Sequence, residues 1–276
     1  MQETVLRPVG PYRLGLMCRR GMWSAPLPDG GYVQAWQRSD GTVVLRAPDD
    51  AAVERARFML ALDDDTTDFH RRFARDALLG PTARAHVGWR PLRLATVAHA
   101  TLRAICGQLI ESRRARAIER AVLRACGQNV ATQSELQRLS PAELCACELS
   151  GSRASTLARI CRALDLERLH HYPSSTVVAR LSRERGIGPW SIGVIALEGL
   201  GRYDVGLVGD LGLVKLASAL HGRWVEASAT AELLAPYDEW QGLAGELLLL
   251  GWSKGLVPGA DRDVARRARL RTRKAA

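Results

Sequence analysis

The sequence predicts an α+β protein, with a small N-terminal domain of antiparallel sheet and helix followed by an all-α core. Two observations predict this. Segments rich in β-branched, aromatic and alternating residues are confined to the first fifty or so positions, where Asp-Gly and Gly-Gly turns separate them. From about Arg90 onward, apolar residues recur at helical spacing almost without a break. The 276 residues suffice for two ordinary domains with a sizeable core. The expected divisions are residues 1–88, residues 89–260 and a basic C-terminal tail over 261–276.

Taken in order, strands are expected at Tyr12–Cys18, Tyr32–Gln37 and Thr42–Arg46, with Asp40-Gly41 turning the last two into a hairpin. Asp49-Asp50 start a helix reaching about Leu62, and Asp64-Asp65 cap another carrying Phe69 and Phe73. In the helical part, Ala98–Leu109, Ala115–Cys126, Ser152–Leu164 and Ser175–Leu181 each present an apolar face. Ser140-Pro141-Ala142-Glu143 is a capping box with proline at the first helical position. Further helices are expected after Asp210, near Ala227–Leu234, and from about Asp238 to Leu250.

Composition narrows the function classes. The formal net charge is +10, and of 39 basic residues only Lys215, Lys254 and Lys274 are lysine. A guanidinium fork suits phosphate oxygens, so a polyanionic partner fits, although an arginine-rich codon bias gives the same count. No apolar run of eighteen residues exists, so no membrane partner is expected. Six scattered cysteines without a CxxC pair suggest unpaired thiols in a reducing, cytoplasmic setting. Cys145-x-Cys147 with Cys161, His170 and His171 fits no zinc spacing, so neither metal nor other cofactor is expected.

The most informative stretch is residues 181–216. A short helix runs into Glu184-Arg185-Gly186-Ile187-Gly188, and Pro189 opens a second helix carrying Trp190, Val194 and Leu197. Two glycines around one aliphatic residue make a turn to which another molecule can come close. Proline at the helix start leaves Ile187 and Gly188 to present their amides, which suits a phosphate. Twenty residues beyond Trp190, Gly209-Asp210-Leu211-Gly212-Leu213 puts a carboxylate at the start of an apolar helix. An N-cap alone would explain Asp210; hairpin and aspartate at this spacing say more.

Gly186-Ile187-Gly188-Pro189-Trp190 together with Gly209-Asp210-Leu211-Gly212-Leu213 resembles the helix-hairpin-helix DNA glycosylase superfamily, and within it the DNA-3-methyladenine glycosylase II branch. The resemblance covers roughly residues 90–252 and is sharp over 181–216. It implies a helix-hairpin-helix glycosylase core that follows the small α+β domain. Its partner would be damaged double-stranded DNA, bound by a monomer, nucleoid-associated if the source is bacterial. It implies that Gly186, Ile187 and Gly188 hold the DNA backbone and that Asp210 is catalytic. An alkylated purine such as 3-methyladenine or 7-methylguanine would be flipped out and its N-glycosidic bond hydrolysed, as in base excision repair. Bifunctional members carry a lysine where this chain has Trp190, so no AP-lyase activity is expected. Gln108 matches a segment that reaches the lesion cavity. The base pocket would be formed by Trp190, Val194 and Glu246.

Two pocket positions depart from the best-known alkyl-base enzyme of the branch. Where that enzyme has a tyrosine this chain has Val194, and near the position of that enzyme's second pocket tryptophan it has Glu246. A carboxylate there is expected to attract a cationic base over a neutral one such as hypoxanthine. Two alternatives stay open: a non-catalytic helix-hairpin-helix DNA-binding protein, and a glycosylase for an oxidised or deaminated base.

Overall fold

A computed structural model of the chain describes residues 1–18, 21–261, 263, 264 and 266, so most of the expected basic tail lies outside the described residues. The fold is mostly helical, with one four-stranded antiparallel sheet. Its strands are β1 (Gln2–Leu6), β2 (Met22–Pro26), β3 (Tyr32–Gln37) and β4 (Val43–Ala47), in the order β1-β4-β3-β2. The β3–β4 hairpin turns where expected. Arg38 N–H donates to the Thr42 carbonyl over 2.8 Å, and Gly41 takes a φ of +85° that a Cβ would oppose.

Tyr12–Cys18 was expected to be a strand and is not one. It carries a 3-10 turn at Leu14–Leu16, because the Gln37 amide binds it from the end of β3. The Gln37 oxygen accepts from Leu14 N–H at 2.9 Å, and its nitrogen donates to the Tyr12 carbonyl at 3.1 Å. Leu14 is thereby buried under the sheet. The remaining strands are β1 and β2, the latter paired to β3 from Met22↔Trp36 to Pro26↔Tyr32.

Among the described residues, two large apolar clusters form the interior, beside a third of Val214, Ala217 and Val225. The smaller joins Leu14, Val33, Leu45 and helix α1 (Asp50–Met59) and takes in Ala95 and Val130 from the helical part. The larger includes α2 (Thr67–Phe73) and α3 (Gly80–Ala85), whose Phe69, Phe73 and Ala83 pack with Tyr237 and Leu248. Polar ties link the two. Arg93, buried, pairs with Asp64, which also accepts from the Tyr203 hydroxyl at 2.5 Å. Such a buried guanidinium is tolerated because it is paired.

At the centre of the helical part lies α4 (Val97–Gly107), capped by Thr96 and buried on nearly every side. Around it stand α5 (Ser112–Ala125), α6 (Gln133–Arg138), α7 (Pro141–Ala146), α8 (Gly151–Ala163) and α9 (Ser174–Leu181). The Ser140–Glu143 capping box forms as expected, and Thr132–Glu135 makes a second. The hairpin leads into α10 (Pro189–Val194), which widens into a π turn over Ile195–Gly199. Then come α11 (Leu211–His221), α12 (Ala229–Leu234) and α13 (Gln241–Ser253). The last begins at Gln241 because Asp238, at φ 44°, breaks the helix expected from that residue. No helix among the described residues is long and apolar enough to cross a membrane.

Candidate active site

Asp210 caps α11. Its Oδ1 accepts from Gly212 N–H at 2.7 Å and Leu213 N–H at 3.1 Å. Its Oδ2 accepts from the Trp190 indole Nε1–H at 2.9 Å. Asp210 is thus a cap and something further, because the third donor comes from a different helix. Gly209, at φ +88°, delivers the chain to this point, and its N–H donates to Thr230 Oγ1 over 2.7 Å. The Trp190 ring reaches back to the end of α4, where a Cβ on Gly107 would stand 2.6 Å from its Cη2. Both side chains are half-buried, so the carboxylate stays within reach of a ligand.

The hairpin departs from the sequence reading in one respect. Ile187 does not present its amide: that N–H donates to the Glu184 carbonyl over 3.0 Å and closes the turn, while the side chain is buried. Gly188 N–H has no acceptor among the described residues. Gly186 takes φ +88°, and a Cβ there would come within 2.5 Å of Thr156 Oγ1; one on Gly188 would meet open space. The two glycines therefore differ in kind. One is required by the fold, and the other leaves an approach open.

Gln108 turns its amide to the hairpin. Its side-chain nitrogen donates to the Gly186 carbonyl at 2.8 Å and to Ser191 Oγ at 3.0 Å, while Arg153 donates to the backbone carbonyl of Gln108. The next residue carries a signal the sequence reading missed. Leu109 has φ +56° and is 99% exposed, an apolar side chain held out at the tip of the loop between α4 and α5. An apolar residue following a helix-ending Gly-Gln and preceding a new helix start at Glu111-Ser112 was the available clue. Beside the tip opens a groove of about 620 Å³, with Ile110, Ile118 and Leu149 within and Arg114 and Arg153 among its lining.

Val194 is buried in the larger cluster, whereas Glu246 on α13 is half-buried. Burial pushes the Glu246 carboxyl up, and the neighbouring Glu198 and Asp210 carboxylates push the same way, to about 8. The side chain is then largely protonated at neutral pH. The charge expected to draw in a cationic base is thereby largely neutralised. Beside it lies a partly buried ionic cluster: Arg103 reaches Glu198 at 2.7 Å and Glu119 at 2.9 Å, and Glu119 also meets His99 at 3.0 Å. No cluster of His, Cys, Asp and Glu suited to a metal ion occurs among the described residues.

No family model matches the chain. A DNA-3-methyladenine glycosylase of Bacillus subtilis (strain 168) is 24% identical over 200 residues, which are 66% of this chain and 66% of that protein, just under two thirds of its length. A 3-methyladenine DNA-glycosylase from Archaeoglobus fulgidus has a similar structure, with TM-score 0.75 and 19% identity over 92% of this chain and 99% of that one. An 8-oxoguanine glycosylase/lyase of Clostridium acetobutylicum, in complex with duplex DNA containing cytosine opposite 8-oxoguanine, reaches TM-score 0.73 at 17% identity over 93% and 98%. In fold, then, the chain is similar to these DNA glycosylases, and in sequence it resembles a DNA-3-methyladenine glycosylase.

Proposed function

We propose that the protein is a monofunctional DNA glycosylase that flips an alkylated purine from duplex DNA and hydrolyses its N-glycosidic bond. The single observation that carries this is the Asp210 carboxylate, fixed by three donors and half open beside the hairpin. Breaking the glycosidic bond develops positive charge on the sugar, and a pre-positioned carboxylate stabilises it without reorganising. Asp210 would also orient the water that attacks the sugar. Trp190 has no amine, so no Schiff base forms at that position and the abasic strand is left intact.

The surrounding parts have matching roles. Gly188 admits a phosphate close to the hairpin, a contact that positions the duplex without reading its sequence. Leu109 enters the stack and fills the gap left by the flipped nucleotide, a use to which an exposed apolar tip is suited. Gln108 ties that tip to the hairpin, so that both elements meet the DNA as one unit. The test is incubation with a duplex bearing a single 7-methylguanine or 3-methyladenine, followed by chromatography for free base. Release above buffer with intact phosphodiesters is expected. Binding without release would favour the non-catalytic reading, and a borohydride-trapped adduct would show lyase chemistry.

A further inference from the structure

We propose that Glu246 is a proton donor to the departing base, so that the Asp210 site releases neutral purines as well as cationic ones. The proposal rests on the glycosylase reading and deepens it.

The geometry comes from α13. Positions 242, 245, 246 and 249 share one face of that helix. A Cβ on Gly242 would lie 3.3 Å from Leu197 Cδ1, so this face meets the continuation of α10. Gly245 lies against Leu213, and Leu249 against Gly212, where a Cβ would stand 2.5 Å from Leu249 Cδ2 and 2.9 Å from Asp210 Oδ1. Glu246 therefore stands at the seam where α13 meets both the helix that carries Trp190 and the residues capped by Asp210. Its carboxyl makes no hydrogen bond among the described residues, in a chain whose other half-buried acids nearby are engaged. Glu198 is held by Arg103 and Asp210 by Trp190. A half-buried carboxyl without a protein partner is left open to one that solvent or a ligand supplies.

The charges around it keep it in the acid form. Glu198 faces it from the continuation of α10 and Asp210 from the start of α11, both of the same sign, while the Arg103 guanidinium is already shared with Glu198 and Glu119. No charged group of α3, α12 or the Ala235–Trp240 turn offsets them. Burial and these two carboxylates give a donor that titrates near 8, close to working pH, as general acid catalysis requires.

The C1′–N9 bond breaks with its electron pair passing to the purine, and the Glu246 proton moves to a ring nitrogen of that purine, which leaves neutral. The oxygen of a water bonds to C1′, its surplus proton passes through Asp210 to solvent, and Glu246 regains a proton from solvent. A base already cationic through methylation leaves neutral without this proton, so Glu246 matters less for it.

The test is single-turnover release of hypoxanthine and of 7-methylguanine from matched duplexes between pH 6 and 9. In the wild type, hypoxanthine release should fall above a break near pH 8, with no such break for 7-methylguanine. Glu246→Gln should remove the break and lower hypoxanthine release about a hundredfold more than it lowers 7-methylguanine release. Equal losses for the two bases, or a hypoxanthine break that survives in the variant, would overturn the role of Glu246. So would a wild-type profile that is flat for hypoxanthine, a result independent of how the variant folds. Failure to release either base would instead remove the glycosylase reading, and this proposal with it.

Discussion

The indole of Trp190 donates its Nε1–H to Oδ2 of Asp210 across 2.9 Å, joining the hairpin helix α10 to the cap of α11. Without this bond the two backbone donors of the cap would still hold Oδ1, and the second oxygen would be free to turn. The aromatic residue thus sets the direction in which the carboxylate faces a sugar. Trp190→Phe keeps the ring and removes the donor. A hydrogen bond to a carboxylate contributes about 1.5–3 kcal/mol, so single-turnover base release should fall at least about tenfold. Asp210→Asn should abolish release while duplex binding, measured by fluorescence anisotropy, stays within a few-fold.

The hairpin glycines should separate cleanly. Gly188→Val meets open space in the free protein, so its melting temperature should match the wild type while binding weakens alike for all duplex sequences. Gly186→Ala forces a side chain into φ +88° and against Thr156, and should lower stability by about 1–2 kcal/mol or more. A change of sequence preference in the Gly188 variant at unchanged affinity would contradict the phosphate role.

Leu109→Ala removes an apolar tip that the free protein does not pack. Melting should be unaffected, and release from a base-paired lesion should slow about tenfold because unstacking costs a few kcal/mol that the wedge helps to offset. Release from the same lesion opposite an abasic site, already unpaired, should slow less. Equal slowing on both substrates would argue against a wedge.

Burial alone would raise the Glu119 carboxyl, but hydrogen bonds from His99 and Arg103 and the charges of Arg103 and Arg116 outweigh it and bring it down to about 2. A depressed carboxyl contributes stability that is complete above its ordinary value of 4.5 and is lost as the pH falls through about 2. Glu119→Gln should therefore unfold more easily at pH 7, by about 3 kcal/mol in urea titrations. Its difference from the wild type should shrink steadily between pH 4.5 and 2.

What could be read from the sequence tracks how local each feature is. The β3–β4 hairpin and the Ser140 capping box are written within a few residues and form as expected. Tyr12–Cys18 has strand-like composition, yet its fate is decided by Gln37, 23 residues away from Leu14. The Asp210–Trp190 pair could be proposed from spacing, but the bond between them depends on how α10 and α11 cross. Ile187 looked free to donate only because the turn-closing carbonyl of Glu184 is invisible in a motif. The raised carboxyl of Glu246 arises from three helices meeting, which no periodicity encodes.

The contact between Gly107 and Trp190 has a consequence for engineering and for divergence. The indole rim occupies the volume a Cβ at 107 would need, so the two positions are a single joint choice made on different helices. Ala at 107 should be tolerated only beside a slimmer residue at 190. A lysine installed at 190 to add lyase chemistry would leave a void at 107 that a methyl could fill. Interconverting the two reaction types on this scaffold should therefore be a paired mutation, with each half alone less fit than either end.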